Sequence, residues 1–327
     1  MQSHKLFFEK IISIENLLSA WKEFLVGKKN RKDVQEFQLR IMDNIMSLHS
    51  DLKDKTYIHG GYEAFSINDP KPRNIHKASV RDRLLHHAIY RVLYPYFDKK
   101  FIHDSYSCRV GKGTHKALER FNVFARKVSK NNMQTCWVLK CDIRKFFASI
   151  DQEILMSVLK KHVQGEGILW LLERVIDSFN SGKVDIGLPL GNLTSQLLVN
   201  VYMNEFDQHM KHMLKEKYYI RYADDFVMLS SDKKHLEELT VSISDFLNEK
   251  LRLVLHPNKV FIKTFSSGVD FLGWIHFPYR RIIRTVTKKR MFKRLLMPEV
   301  KKETIDSYKG LLGWGNAYEL IQKIDQN

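Results

Sequence analysis

Residues 218–230 read Tyr-Tyr-Ile-Arg-Tyr-Ala-Asp-Asp-Phe-Val-Met-Leu-Ser, and they constrain the fold more than any other stretch of the chain. Apolar and aromatic residues run into Asp224-Asp225 and out again, with the β-branched and aromatic enrichment of buried strands. A strand–turn–strand of this kind pushes two carboxylates out at a hairpin tip. Hard oxygen ligands held there suit a magnesium site for nucleotidyl transfer. An ordinary Asp-rich turn has the same local pattern, since Asp favours such positions.

A third acid lies in a matching setting. Between Cys136 and Asp151 an apolar strand signal, Trp137 to Leu139, ends at Asp142. A helix follows with Asp151 as its N-cap. Its apolar residues Ile154, Leu155, Val158, Leu159 and Val163 recur at helical spacing, and Gly165 closes it. A neighbouring hairpin would bring Asp224 and Asp225 beside Asp142. Three carboxylates around two divalent ions suit in-line phosphoryl transfer: one ion activates a 3′-hydroxyl and the other neutralises the leaving pyrophosphate.

Five blocks in order resemble the reverse transcriptase family, over roughly residues 15–320. Tyr222-Ala223-Asp224-Asp225 resembles its palm motif, and Asp142 with Phe146 and Phe147 its first aspartate motif. Gly187-Leu188-Pro189-Leu190-Gly191-Asn192-Leu193-Thr194-Ser195-Gln196 resembles the nucleotide-pocket motif, Asp69-Pro70-Lys71-Pro72-Arg73 the fingers segment, and Phe271-Leu272-Gly273-Trp274 the primer grip. Within the family, Leu190 to Gln196 and the run from Asp104 to His115 look like the reverse transcriptases of diversity-generating retroelements and their group II intron relatives. Some antiphage-defence reverse transcriptases share the pattern.

The resemblance implies an α+β right-hand polymerase with fingers, a palm of antiparallel sheet packed on helices, and a short helical thumb. The expected divisions are an N-terminal helical extension over 1–60, fingers over 61–115, palm over 116–278 and basic thumb over 279–327. It implies an RNA-directed DNA polymerase using two Mg2+ ions, with Mn2+ as a substitute, held by Asp142, Asp224, Asp225 and the Ile143 carbonyl. Lys71 and Arg73 would hold the triphosphate, as a point charge and a bidentate fork. Phe147 would collide with a 2′-hydroxyl, and Lys259 would contact or protonate the pyrophosphate. Leu190 stands where many relatives carry Gln. It keeps bulk but removes a polar handle, and hydrogen bonds discriminate more strongly than apolar contact. The resemblance therefore implies an error-prone enzyme making mutagenised cDNA. Gly191 and Gln196 complete the nucleotide pocket; Phe271, Leu272 and Gly273 form the primer grip. Implied partners are a template RNA, the cDNA primer–template duplex, dNTPs and a small basic accessory protein. An RNA-templated RNA polymerase would want a smaller or polar residue at 147. A maturase-like RNA-binding scaffold could dispense with the acids, and all three are present.

Composition agrees with a polyanionic partner. The 327 residues carry a net charge of +17, and eight basic residues fall between Arg280 and Arg294. Apolar content of 44% supplies real cores, and only 22 residues are Gly or Pro, too few for long flexible linkers. Charges interrupt the N-terminal apolar stretch and no apolar run reaches a membrane span, so neither a secretory signal nor a membrane partner is expected. Three cysteines without metal-ligand spacing suit a reduced cytoplasm. Helices are expected over 11–53, over 81–97 with Pro95 ending or kinking the last, after Gly191, and from Asp232. Further strands are expected near Val254 and Phe271. The scattered histidines read as surface or semi-buried side chains rather than ligands.

Overall fold

Apolar residues at helical spacing fold the N-terminal part mainly as helices in the computed structural model, which describes residues 6–67, 72–297 and 300–325. They are α1 (Leu6–Ile12), α2 (Ile14–Phe24), α3 (Lys32–Leu39) and α4 (Ile41–Lys53), followed by the hairpin β1 (Tyr62–Ile67) and β2 (Arg73–Ala78), then α5 (Val80–Asp98). Next come α6 (Thr114–Val128), β3 (Trp137–Asp142), α7 (Gln152–His162), α8 (Glu166–Ile176) and α9 (Leu193–Gln208). The hairpin β4 (Tyr219–Tyr222) and β5 (Asp225–Ser230) leads to α10 (Lys233–Leu251) and β6 (Phe261–Thr264). Short strands β7 (Val269–Phe271), β8 (Trp274–His276) and β9 (Arg281–Ile283) precede α11 (Thr285–Leu295), α12 (Lys302–Leu312) and α13 (Tyr318–Asp325). All pairings among these strands are antiparallel, so the class is α+β.

The chain divides into two compact units. Residues 1–102, 144–209 and 246–254 form the first. Its centre is α5, N-capped by the Ser79 hydroxyl and packed on α2 and α9, with Leu84, Leu85, Ala88, Ile89 and Leu93 buried. Pro95 does not end this helix, which continues to Asp98. The ring removes one backbone bond in the last turn, and burial of Leu93 and Phe97 on either side holds that turn in place. Asp151 caps α7 as the sequence reading expects, accepting from the Ile154 amide at 2.9 Å.

The second unit comprises residues 103–143, 210–245 and 255–327. Its four-stranded sheet runs β4-β5-β3-β6, and α6 packs on β4 and β5. Phe121, Phe124, Val138, Ile220, Val227 and Leu229 form the core beneath it, extended by Phe271 and Trp274 from the three-stranded sheet β7-β8-β9. The strand expected near Val254 is reduced to an isolated bridge between Ile143 and Leu255. Pro257 lacks the donor that continued pairing needs, and β6 takes the edge of β3 instead, from Trp137↔Thr264 to Lys140↔Phe261. Among the described residues no helix is long and apolar enough to cross a membrane.

Candidate active site

The acidic tip belongs to the second unit. β4 and β5 are joined by Ala223 and Asp224 alone, with Tyr222 opposite Asp225. Ala223 adopts φ +55°, a left-handed conformation that costs a non-glycine residue about 1 kcal/mol or more. β5 also pairs with β3, and the register sets Asp142 directly opposite Asp225. Backbone bonds fix the neighbourhood: the Ile143 amide donates to the Asp224 carbonyl at 3.3 Å, and the His256 amide to the Asp142 carbonyl at 2.8 Å. Two segments far apart in sequence thus bring Asp142, Asp224 and Asp225 to one end of the sheet.

Two lysines touch these acids. Lys259 Nζ donates to Asp142 Oδ1 at 2.8 Å, and Lys140 Nζ lies 3.2 Å from Asp225 Oδ2. The other oxygen of Asp225, Oδ1, is buried without a hydrogen-bond partner. Burial pushes the Asp225 carboxyl up to about 6; Lys140 opposes this, and Asp224 and Asp142 add to it. Among the described residues no three acidic, histidine or cysteine side chains close into a ready-made metal shell. The backbones meet, while the side chains of Asp142 and Asp225 are engaged with Lys259 and Lys140. The donors nonetheless suit a hard divalent cation: the oxygens are carboxylate, mutually repelling, and one is buried with nothing to satisfy it.

The first unit gathers the residues of the pocket motif. The Phe147 carbonyl accepts from the Leu188 amide at 2.8 Å, and the Leu190 carbonyl from the His76 amide of β2 at 3.0 Å. Asn192 Nδ2 donates to the His76 carbonyl at 3.1 Å. Gly191 has φ +115°, and a Cβ there would meet Ile75 Cγ2 at 2.8 Å, so the loop lies on β2 only because this residue is glycine. Phe146 and Phe147 share a short 3-10 turn and meet edge to face, 5.6 Å between ring centroids; Phe146 is buried and Phe147 half-buried. Gln196 is half-buried in the first turn of α9, and Arg73 is exposed at the start of β2. Lys71 lies outside the described residues.

Phe271, Leu272 and Gly273 form the β7–β8 hairpin tip of the second unit. Leu272 (φ +48°) and Gly273 (φ +91°) both have positive φ, the signature of a two-residue type I′ turn. Phe271 is buried beneath it.

Two residues at the acidic tip escaped the sequence reading. Lys140 shares a strand face with Asp142 at spacing i, i+2, and its place inside an otherwise apolar strand was the available signal. Arg221, in β4, is fully buried. Its Nη1 donates to the Ala223 carbonyl and its Nη2 to Ser105 Oγ, both at 3.1 Å. Ser105 belongs to a segment that bridges β4 in parallel, with the Tyr106 amide donating to the Arg221 carbonyl at 2.9 Å. Next to it, Asp104 receives Arg120 on both oxygens. Burial would raise the Asp104 carboxyl, but Arg120 and His103 outweigh it and hold the group below its usual range.

The family model described as reverse transcriptase (RNA-dependent DNA polymerase) matches residues 67–276. The chain is 24% identical over 235 residues to protein YkfC of Escherichia coli, covering 60% of each chain. It is 22% identical over 340 residues to the group II intron-encoded protein LtrA of Lactococcus lactis, covering 83% of this chain and 54% of LtrA. It therefore spans less than two thirds of the length of these curated relatives. Among solved structures, apo telomerase from Candida tropicalis superposes with a TM-score of 0.53 at 13% identity, over 70% of this chain and 55% of the other. That first structure is truncated from the C-terminal domain; another structure of apo telomerase from Candida tropicalis gives 0.52 at 12% identity, over 76% and 52%.

Proposed function

We infer, from the premise that this chain belongs to the reverse transcriptase family and has the α+β fold of the right-hand polymerases, that it extends a primer with deoxynucleotides along an RNA template. The observation that carries this reading is the register setting Asp142 opposite Asp225, with Asp224 at the adjoining tip. Asp142, Asp224, Asp225 and the Ile143 carbonyl would hold two Mg2+ ions, or Mn2+ in their place, which when bound supply activation of the primer 3′-hydroxyl and neutralisation of pyrophosphate charge. Lys140 favours the ionised form of Asp225 against its burial. Lys259 holds Asp142 in one orientation and offers an ammonium proton to the leaving group.

In the same reading Lys71 and Arg73 take the triphosphate, and Phe147 excludes the 2′-hydroxyl. Leu190, Gly191 and Gln196 shape the nucleotide pocket, while Phe271, Leu272 and Gly273 seat the primer end. Residues 61–115 serve as fingers, 116–278 as palm and 279–327 as a thumb tracking the duplex, with 1–60 as an extension. Template RNA, the cDNA duplex and dNTPs are the partners, with a small basic protein as accessory, in the cytoplasm. The test is primer extension on an RNA template. Asp224→Ala should abolish incorporation while circular dichroism stays unchanged, and a folded variant that still polymerises overturns the reading.

The finer assignment is to a diversity-generating retroelement, supported by Leu190 and the Asn192-Leu193-Thr194-Ser195-Gln196 run that follows Gly191. A group II intron-like role is the second reading, favoured by the likeness to LtrA over 83% of this chain. Sequencing of cDNA separates them. Frequent errors opposite template adenine that fall in Leu190→Gln support the first, and uniformly low error in both proteins supports the second.

A further inference from the structure

A cavity of about 510 Å³ in the second unit is lined by none of the acids, their lysine partners, or the nucleotide-pocket and primer-grip residues. Its walls are the second half of α6 and the turn after it, Phe265 just after β6, the β8–β9 connection with the first residue of β9, and the turn between α12 and α13. The size falls within the ~300–1,000 Å³ of small-molecule sites. Arg126, Arg280 and Arg281 line it, and no carboxylate does.

Arg281 is built into the wall rather than lying on it. Its amide donates to Asn316 Oδ1 at 2.9 Å, its carbonyl accepts from the Asn316 amide at 2.8 Å, and its Nη2 donates to the Trp314 carbonyl. Its Nε and Nη1 are buried with no hydrogen-bond partner. Glu119 acts on this guanidinium through space without lining the cavity. The Arg281 Nε and Nη1 have no surface open to the cavity and the guanidinium lies over the Trp274 ring, so Arg281 contributes fixed positive charge, while the exposed guanidinium forks of Arg126 and Arg280 are the ones that match phosphate oxygens.

Aromatic surface completes the wall. Tyr279 is 83% exposed, and Trp314 is 37% exposed with its ring stacked on His115 at 3.8 Å between centroids. Asparagine amides supply the remaining polar lining, among them Asn122, whose Oδ1 lies 3.4 Å from His276 Nδ1, and Asn132, whose Nδ2 reaches the Pro278 carbonyl. Arginine, amide and exposed aromatic together recognise unpaired nucleotides, whose bases offer both a stacking face and a polar edge.

We propose that this cavity binds one nucleotide of a single-stranded RNA, with its phosphate on Arg126 and Arg280 in the field of the buried Arg281, and its base against Tyr279 and Trp314. The chemistry recognised is a phosphate joined to a planar base, so a free mononucleotide is the other source of the same group. The inference stands independently of the three aspartates, and Asp224→Ala protein should bind as the unaltered chain does.

The test uses the whole chain with a fluorescent single-stranded RNA octamer carrying 4-thiouridine, and with AMP in a parallel titration. Arg126→Ala/Arg280→Ala, with Tyr279→Ala alone as a second variant, spares the Arg281 contacts that hold the fold. In the double variant octamer affinity should fall at least tenfold and its salt dependence should flatten, by about 0.7 in log–log slope for each phosphate no longer neutralised. Crosslinks should map to the segments carrying Tyr279 and Trp314. AMP binding that is lost in the same variants assigns the cavity to a free nucleotide, and octamer-only binding assigns it to a strand. Unchanged octamer and AMP affinity in both variants, with no crosslink to these segments, overturns the proposal.

Discussion

Arg221 is the side chain on which the acidic tip depends. Its guanidinium donates to the carbonyl of Ala223, the strained residue beside Asp224, and to Ser105 from the neighbouring segment. Arg221→Met should therefore destabilise the fold by about 3 kcal/mol, because it leaves buried acceptors without donors. Arg221→Lys, which keeps charge but loses the fork, should fall between. Urea unfolding midpoints check this, and an unaltered midpoint in Arg221→Met would remove Arg221 from that role. The contrast with the aspartates explains what was legible at this scale. Asp142, Asp224 and Asp225 stand out because each interrupts an apolar strand where its chain turns. Arg221 and Lys140 interrupt strands too, but their purpose depends on partners that only the register supplies. Lys259 was visible as a basic residue near the right place. Its contact with Asp142 arises because the His256 amide bonds the Asp142 carbonyl and closes the intervening loop, which no local pattern encodes.

Periodicity made the helices and the β4–β5 hairpin readable, and it failed where tertiary pairing decides. β6 carries no strong alternation and forms because β3 offers an edge, while the stretch near Val254 is cut short by Pro257. β1 alternates in sequence yet leaves Phe65 44% and Ile67 41% exposed, so alternation there does not report burial. The inward face of α5 carries a network that spacing alone hides. His86 bonds Thr194 through Nδ1 and His59 through Nε2 at 3.0 Å, and His59 meets Tyr62. Asp82 accepts from Tyr57, Ser79 and the Gly60 amide. Burial pushes His86 down to about 3, helped by His59 and His87 and opposed by Asp82. A base with a depressed folded value binds fewer protons folded than unfolded between that value and its ordinary 6.5. Stability therefore rises with pH through this window and is lost as pH falls from 6.5 toward 3. His87, at about 4, and His276, at about 3, act with the same sign. His86→Gln should accordingly make the thermal midpoint less steep between pH 6.5 and 4.5 without abolishing the slope. A variant as acid-sensitive as the unaltered chain would contradict this account of the network.

At the scale of the whole molecule, order of motifs and sign of charge were enough to read the family and the fold class. A net charge of +17 and the basic run from Arg280 to Arg294 suit a chain that works on nucleic acid. The division into two compact units was not readable, because each unit draws on three separate stretches of sequence. What joins these scales is the claim that Asp142, Asp224 and Asp225, gathered at one end of the β4-β5-β3-β6 sheet, hold divalent ions. Mn2+ binding followed by electron paramagnetic resonance, with template–primer and a non-hydrolysable dNTP analogue present, tests it without relying on turnover. The unaltered protein should bind Mn2+ in competition with Mg2+, and folded Asp142→Ala and Asp224→Ala should each bind at least tenfold more weakly. Equal Mn2+ affinity in all three proteins would contradict the claim.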